Sequence, residues 1–405
     1  MSQVNVVLLI YLHFVAIKCS ASVCVTSLQR DHKNILLIQN GQVRIPDDAM
    51  GNIILNVNEI LTFACPGDQV TITKTQFVDA KCVSNDQFTI GNTMYSASQI
   101  TCAEKPQSTI SRTGTCLNGQ YDQFKIGFNT GKGFISHIEL CFNNINKATL
   151  YEYSVVSSKI GAAQRGSRPE FIPNAPYITR ALAAKYRRVA QYATLEKTLN
   201  TPGGGLPPYM QNVELMGKGH LAANADFIYK AQKEATFYYM NAAPQWCSAN
   251  AGNWNDLEIS IRDLAKATNK DYDVYTGTYG TLDLEKSESG RAKIYLDGDN
   301  DRLPVPQYYW KVVIEKGGDT GIAFIGMNNV FEQQDNPCPN IIGQVTWLKS
   351  AHWNNVTLGY TLACDVNIFK NIPGLKLQLP PLPNINHILF SPDNMTLHRN
   401  KFCDQ

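Results

Sequence analysis

The stretch Met216-Gly217-Lys218-Gly219-His220-Leu221-Ala222-Ala223-Asn224-Ala225-Asp226-Phe227 is followed by Asn241-Ala242-Ala243-Pro244-Gln245 and Asn250-Ala251-Gly252-Asn253-Trp254. A histidine, a neighbouring cation and a set of amides therefore fall within about forty residues, with almost no carboxylates among them. A cage for a hard cation needs several oxygen ligands, usually charged ones, so this set is a poor cation trap by itself. It suits a reaction in which one imidazole activates water beside a polyanion and a lightly held metal ion completes the site.

Seven histidines are encoded. His13 lies in an apolar N-terminal run, and His32, His137, His352, His387 and His398 have no reactive company in sequence. His220 differs because glycine precedes it and small residues follow. Lys218 sits two positions earlier, so on an extended strand both side chains share a face.

The elements that must position these residues can be bounded from the whole chain. Its 405 residues suffice for a full core and predict two domains, one small and one larger. Residues 4–17 are almost unbroken apolar sequence, too short to span a bilayer, and run into Ser20, Ala21 and Ser22. This reads as a secretory signal peptide over residues 1–22, although its start carries no lysine or arginine. No later run reaches transmembrane length, so a soluble, secreted protein with no membrane association is expected after cleavage. Cys19 belongs to the signal, which leaves ten cysteines: Cys24, Cys65, Cys82, Cys102, Cys116, Cys141, Cys247, Cys338, Cys364 and Cys403. An even set without C-x-x-C spacing predicts up to five disulfides rather than zinc or redox chemistry, with the pairing open. Asn355-Val356-Thr357 and Asn394-Met395-Thr396 are glycosylation sequons and predict surface positions.

The formal net charge is only +2. Between residues 159 and 236, however, eleven Lys and Arg face five Asp and Glu, an excess of six positive charges around the motif. A local basic field concentrates polyanions; a solvated helix with lysines outward is the alternative reading of the same residues.

Residues 23–145 read as a disulfide-stapled β module, with short strands at 34–39, 53–57, 60–64, 70–74, 87–90 and 134–140. In residues 146–405 a strand is expected at 149–156, a helix at 178–195, a loop at 201–208 and a strand at 236–240. A helix at 256–268 follows from Leu257, Ile261, Leu264 and Ala265 at helical spacing. Strands at 274–278, 293–296, 309–315 and 321–324 complete a mixed α+β class. The Pro380-Pro381-Leu382-Pro383 tail is expected to wrap the surface, held by Cys403.

Gly217-Lys218-Gly219-His220 with the Leu-Ala-Ala-Asn-Ala-Asp-Phe after it resembles the signature of the DNA/RNA non-specific endonucleases, whose core is a ββα-metal finger. Tyr239-Met240-Asn241-Ala242-Ala243-Pro244-Gln245, Asn250 to Glu258, 274–280 and 304–311 are similar to that family's further blocks in order and spacing. The likeness covers roughly residues 145–380. Leu61-Thr62-Phe63-Ala64-Cys65-Pro66-Gly67 resembles the extension on secreted arthropod members of gut or saliva. The resemblance implies a central antiparallel sheet flanked by helices. It implies binding of DNA and RNA through the phosphate backbone, hydrolysis of their phosphodiester bonds, and a Mg²⁺ or Mn²⁺ cofactor. His220 would be the general base, with an imidazole near its ordinary pKa. Asn250 would be the direct metal ligand, Glu258 would hold a metal-bound water, Asn241 would position the phosphate or base, and Arg168 would bind phosphate.

Two positions depart from the family pattern. Lys218 stands where arginine is usual, and Gly217 where aspartate or a bulkier residue is common. Lysine keeps the charge but loses the planar fork that grips two phosphate oxygens. The alternative function is therefore a nucleic-acid-binding protein with weak residual cutting. A disulfide-rich adhesion or inhibitor protein is a third reading, which His220, Asn250 and Glu258 oppose. Oligomeric state is not encoded legibly. Gly203-Gly204-Gly205 lacks the Gly-Lys-Ser/Thr of a phosphate loop. Asp297-Gly298-Asp299-Asn300-Asp301 opens like a calcium loop, but Arg302 and Tyr308 fill the positions that need glycine and glutamate, so a polar turn is expected.

Overall fold

Period-two alternation of apolar and polar residues governs the chain from 109 to 156. The computed structural model, which describes residues 23–28, 34–201, 204–211 and 213–391, turns it into four antiparallel strands. These are β1 (Thr109–Cys116), β2 (Tyr121–Asn129), β3 (Phe134–Asn143) and β4 (Ala148–Val156). A separate hairpin follows from β5 (Met216–His220) and β6 (Ala242–Trp246). β7 (Tyr272–Tyr279), β8 (Tyr308–Glu315), β9 (Thr320–Met327), β10 (Thr361–Cys364) and β11 (His387–Ile388) then join β1–β4. The result is one nine-stranded sheet in the order β10-β9-β8-β7-β4-β3-β2-β1, antiparallel except for β11, which runs parallel beside β9.

The helices are α1 (Arg180–Ala184), α2 (Arg188–Leu199), α3 (Lys230–Ala235), α4 (Cys247–Ala251), α5 (Asn253–Thr268) and α6 (Val366–Phe369). The single helix expected at 178–195 is thus two. Thr179 caps α1 by accepting from the Leu182 amide at 3.3 Å, and Arg187 leaves helical geometry between the two. The strand expected at 236–240 is instead a turn and a short 3₁₀ segment, and β6 begins at Ala242. The expected strand at 70–74 is a turn with one bridge, Val70 to Cys102.

The N-terminal module holds a six-stranded sheet and the pair Val23–Ser27 with Asn52–Asn56. The boundary expected at 145 falls between β3 and β4, which pair from Glu139↔Tyr153 to Asn143↔Ala148 with a register shift after Cys141. β1–β3 therefore belong to the large sheet. Lys105 reaches Glu234 at 2.8 Å, and the Tyr229 hydroxyl donates to the Arg44 carbonyl at 2.5 Å across the same seam.

Among the described residues four disulfides join Cys24–Cys82, Cys65–Cys102, Cys116–Cys141 and Cys338–Cys364. Cys247 is unpaired among the described residues, and burial, with Glu214 adding to it, pushes its thiol up. Cys403, Asn394 and the expected signal lie outside the described residues. Asn355 is exposed, with its side-chain oxygen accepting from the Leu358 amide. No helix of the described residues is long and apolar enough to cross a membrane.

The two faces of the large sheet carry different cores. Trp310, Val312, Ile325, Leu362 and Phe369 pack on one side. On the other, Trp254 of α5 lies edge-on to Tyr309 with ring centres 5.5 Å apart and packs so closely over Gly326 that no Cβ fits there easily. Beneath α5 runs a row of polar groups across three strands: Glu152 on β4, Thr276 on β7 and Lys311 on β8. Both charged residues are fully buried. The Lys311 ammonium donates to the Thr276 hydroxyl at 2.5 Å and sits 5.4 Å from the Trp254 ring centre.

Candidate active site

β5 and β6 pair antiparallel, with Lys218 opposite Pro244 and His220 opposite Ala242. α4 and α5 follow directly, which makes the expected ββα unit. Asn328 ties the hairpin to the main sheet: its amide nitrogen donates to the carbonyls of Pro244 and Pro306, and its oxygen accepts from the Trp246 amide. Gly219 is required by crowding. A Cβ there would lie 2.4 Å from the Gln245 side-chain oxygen and 2.9 Å from the Tyr309 hydroxyl. Gly217 is not so constrained, since a Cβ would meet the Cys247 sulfur at 3.4 Å and the Gln245 carbonyl at 4.0 Å, both ordinary contacts. The bend between α4 and α5 also needs glycine. At Gly252 a Cβ would fall 2.6 Å from the Ser248 carbonyl and 2.7 Å from that of Leu358. Asn253 anchors the start of α5 on the carbonyls of His352 and Gly359. This bend lets Asn250 on α4 and Glu258 on α5 face the same space.

Arg168, Lys218, His220, Asn250 and Glu258 line one cavity of about 400 Å³. All five are candidate site residues of the sequence motifs. Asn241 does not join them. Fully buried, its side-chain oxygen accepts from the Ala222 amide and its nitrogen donates to the carbonyls of Ala222 and Thr236, each at 3.0 Å. With its hydrogen-bonding capacity spent on backbone, it cannot also grip a phosphate or base. It pins the turn after His220 instead, so its expected role is corrected to positioning.

His220 is partly buried, its ring 4.9 Å from that of Phe171 and 4.8 Å from that of Phe237. Its Nε2 is shielded from solvent and has no hydrogen-bond partner. Burial, then the cations of Arg168 and Lys218, pull the imidazole down to about 3, and the expected near-ordinary pKa is thereby corrected. Lys218 places its ammonium 5.4 Å from the centre of Phe171 and 5.9 Å from that of Tyr239. Among the described residues neither Arg168 nor Lys218 has an acidic partner. Burial pushes the Glu258 carboxyl above its usual range, Lys311 opposes that shift, and Asp226 adds to it.

The donor set fits a hydrated hard cation. Neither the Asn250 amide nor the Glu258 carboxylate has a hydrogen-bond partner within the described residues, and both face the cavity. One neutral and one charged oxygen donor match an ion that keeps most of its water, as Mg²⁺ does. No group of three His, Cys, Asp or Glu that could hold a metal forms among the described residues.

Phe171, Asn255 and Arg262 also line the cavity and were not anticipated. Asn255, Glu258 and Arg262 are three and then four residues apart on α5, a helical face legible in the sequence. Arg262 also pairs with the buried Asp226 at 2.7 Å. Phe171 carried no such signal.

The family model of the DNA/RNA non-specific endonucleases matches residues 119–367. The chain belongs to that family. The salivary endonuclease of Lutzomyia longipalpis is 28% identical over 337 residues, covering 82% of this chain and 77% of that protein. Salivary protein Tsal2A of Glossina morsitans morsitans is 22% identical over 371 residues, covering 84% and 92%. Human mitochondrial endonuclease G is 34% identical over 98 residues, covering 24% and 32%. As a DNA/RNA non-specific endonuclease family member the protein is a nuclease, a hydrolase built on a mixed α+β fold whose central sheet is antiparallel. The match starts at residue 119, within the loop before β2, so the family region includes strands that the boundary at 145 would have cut away.

Proposed function

We propose that this protein is a secreted, divalent-metal-dependent nuclease that hydrolyses phosphodiester bonds of DNA and RNA without reading base sequence. One observation carries the reading: His220, whose Nε2 has no hydrogen-bond partner, the cations Arg168 and Lys218, and the side-chain oxygens of Asn250 and Glu258 share one cavity. Four disulfides and the salivary relatives support an extracellular setting.

Arg168 and Lys218 hold the scissile phosphate by charge, a contact that carries no sequence information. Burial depresses His220 most, and their cationic field adds to it. An anionic phosphate between them offsets the field's part, so the imidazole recovers that part of its basicity when substrate is in place and a proton must be taken from the attacking water. Phe171 and Phe237 keep bulk water from the ring. Asn250 would hold Mg²⁺ or Mn²⁺ directly and Glu258 through a water, and the bound ion would stabilise the leaving oxygen and the extra charge on phosphorus. His220→Ala should lower kcat on plasmid and on long RNA by about 10²–10⁴-fold. A mobility shift in chelator should persist. Undiminished cutting by that variant would remove His220 from the reaction.

A second reading, tight binding with slow cutting, is favoured by Lys218. Its single ammonium lacks the fork that grips two oxygens of a charge-rich transition state. Lys218→Arg should raise kcat with little change in affinity, by up to about 10². An unchanged kcat would mean that the lysine costs nothing.

A further inference from the structure

A second cavity of about 440 Å³ adjoins the first and shares Phe171 and Lys218 with it. Its other wall comes from α1, the segment after it, and Tyr239, and brings Arg180, Tyr186 and Arg187 to the lining. Three of its lining side chains are cationic, and Glu170 is its single carboxylate. Arg180 and Arg187 are exposed, and neither has an acidic partner among the described residues. Aromatic rings connect the two spaces in file. His220 lies 4.9 Å from Phe171, Phe171 lies 5.6 Å from Tyr239, and Tyr239 lies 5.4 Å from Tyr186. Tyr239 is partly exposed whereas Tyr186 is buried, so Tyr239 offers the accessible ring.

We propose that this second cavity is a subsite for a nucleotide flanking the cleaved bond, with Tyr239 as the stacking platform and Arg180 and Arg187 holding the adjoining phosphate. The inference rests on the nuclease reading above and extends it to a substrate class. A base can lie on a tyrosine only when it leaves its neighbours, which single strands allow and a closed duplex resists. Lys218 stands at the wall between the cavities and is set to bridge the phosphates on either side. Such a cationic groove lined with aromatic rings is the general form of a single-strand site.

Equilibrium binding separates this inference from the reading it rests on. The His220→Ala protein, full length and in chelator, is titrated with a labelled single-stranded octanucleotide and with a duplex of equal length. Single-strand preference in that parent is expected. Arg180→Gln/Arg187→Gln should weaken single-strand binding at least tenfold and reduce the salt-dependence slope by about 0.7, the share of one phosphate. Tyr239→Ala should weaken it by roughly tenfold with no change of slope, and Tyr239→Phe should restore it. A parent that binds neither nucleic acid ends both readings. A parent that binds while all three variants match it leaves the nuclease reading intact and overturns the subsite. Loss with the arginines but indifference to Tyr239, matched by a sulfated polysaccharide, would make the cavity a general polyanion patch and likewise overturn it.

Discussion

Gly219 and Gly217 sit two residues apart in the same strand, yet the fold demands only one of them. A methyl group at 219 collides with Gln245 of the paired strand β6 and with Tyr309 of β8. Gly219→Ala should therefore displace His220 and reduce kcat by more than tenfold, since small misplacements in a site are costly. Gly217→Ala makes only ordinary contacts, with the Cys247 sulfur and the Gln245 carbonyl, and should leave kcat within about twofold. Steady-state kinetics on the two variants checks this, and equal losses would show that crowding is not what selects glycine. His220 was legible from its small neighbours and its spacing from Lys218. Its depressed pKa was not, because burial and the approach of Arg168, fifty-two positions earlier, exist only in the folded chain. Asn241 shows the reverse error. A polar residue in a motif read as a substrate contact, but its three hydrogen bonds go to the backbone of Ala222 and Thr236, both in the connection between β5 and β6.

At the scale of elements, α5 rests on a sheet face that is not wholly apolar. Glu152 and Lys311 are fully buried beneath it, and neither carboxylate oxygen of Glu152 has a hydrogen-bond partner. Burial pushes the Glu152 carboxyl up to about 7, with Lys311 opposing the shift. Removing one member of such a set leaves the others uncompensated. Lys311→Met should cost about 3 kcal/mol, and Glu152→Gln with Lys311→Met together should recover much of that loss. Chemical denaturation of the two singles and the double gives the coupling. Strictly additive losses would show that the two charges do not interact. The strands of this row were expected from the sequence at 149–156, 274–278 and 309–315, and α5 from its helical spacing. Their pairing was not. The 236–240 segment has strand-like residues, yet Asn241 and the turn it pins delay the strand to Ala242. Propensity gave way to a tertiary clamp.

For the molecule as a whole, buried titratable groups outside the catalytic cavity set opposing responses to pH. His137, packed between Phe128 and Phe227, is pulled by burial from 6.5 to about 3. Its contribution to stability is full above pH 6.5 and is lost as pH falls toward 3. Glu152, raised from 4.5 to about 7, contributes fully below pH 4.5 and loses that contribution as pH rises toward 7. The two effects oppose each other between 4.5 and 6.5, and only the histidine term continues below 4.5. Thermal melts should therefore vary little across that upper window and fall steeply below it. His137→Phe should flatten the acid fall, and an unaltered fall would assign it to other groups. From composition and motif alone, the sequence determined the α+β class, the disulfide habit, the family and five residues of the cavity, because those follow from local pattern and residue chemistry. Only the tertiary structure decided that β1–β3 share a sheet with the nuclease strands, that Asn241 faces backbone, and that Arg180 and Tyr239 stand beside Lys218. Each of these depends on contacts between distant segments, which no local spacing records.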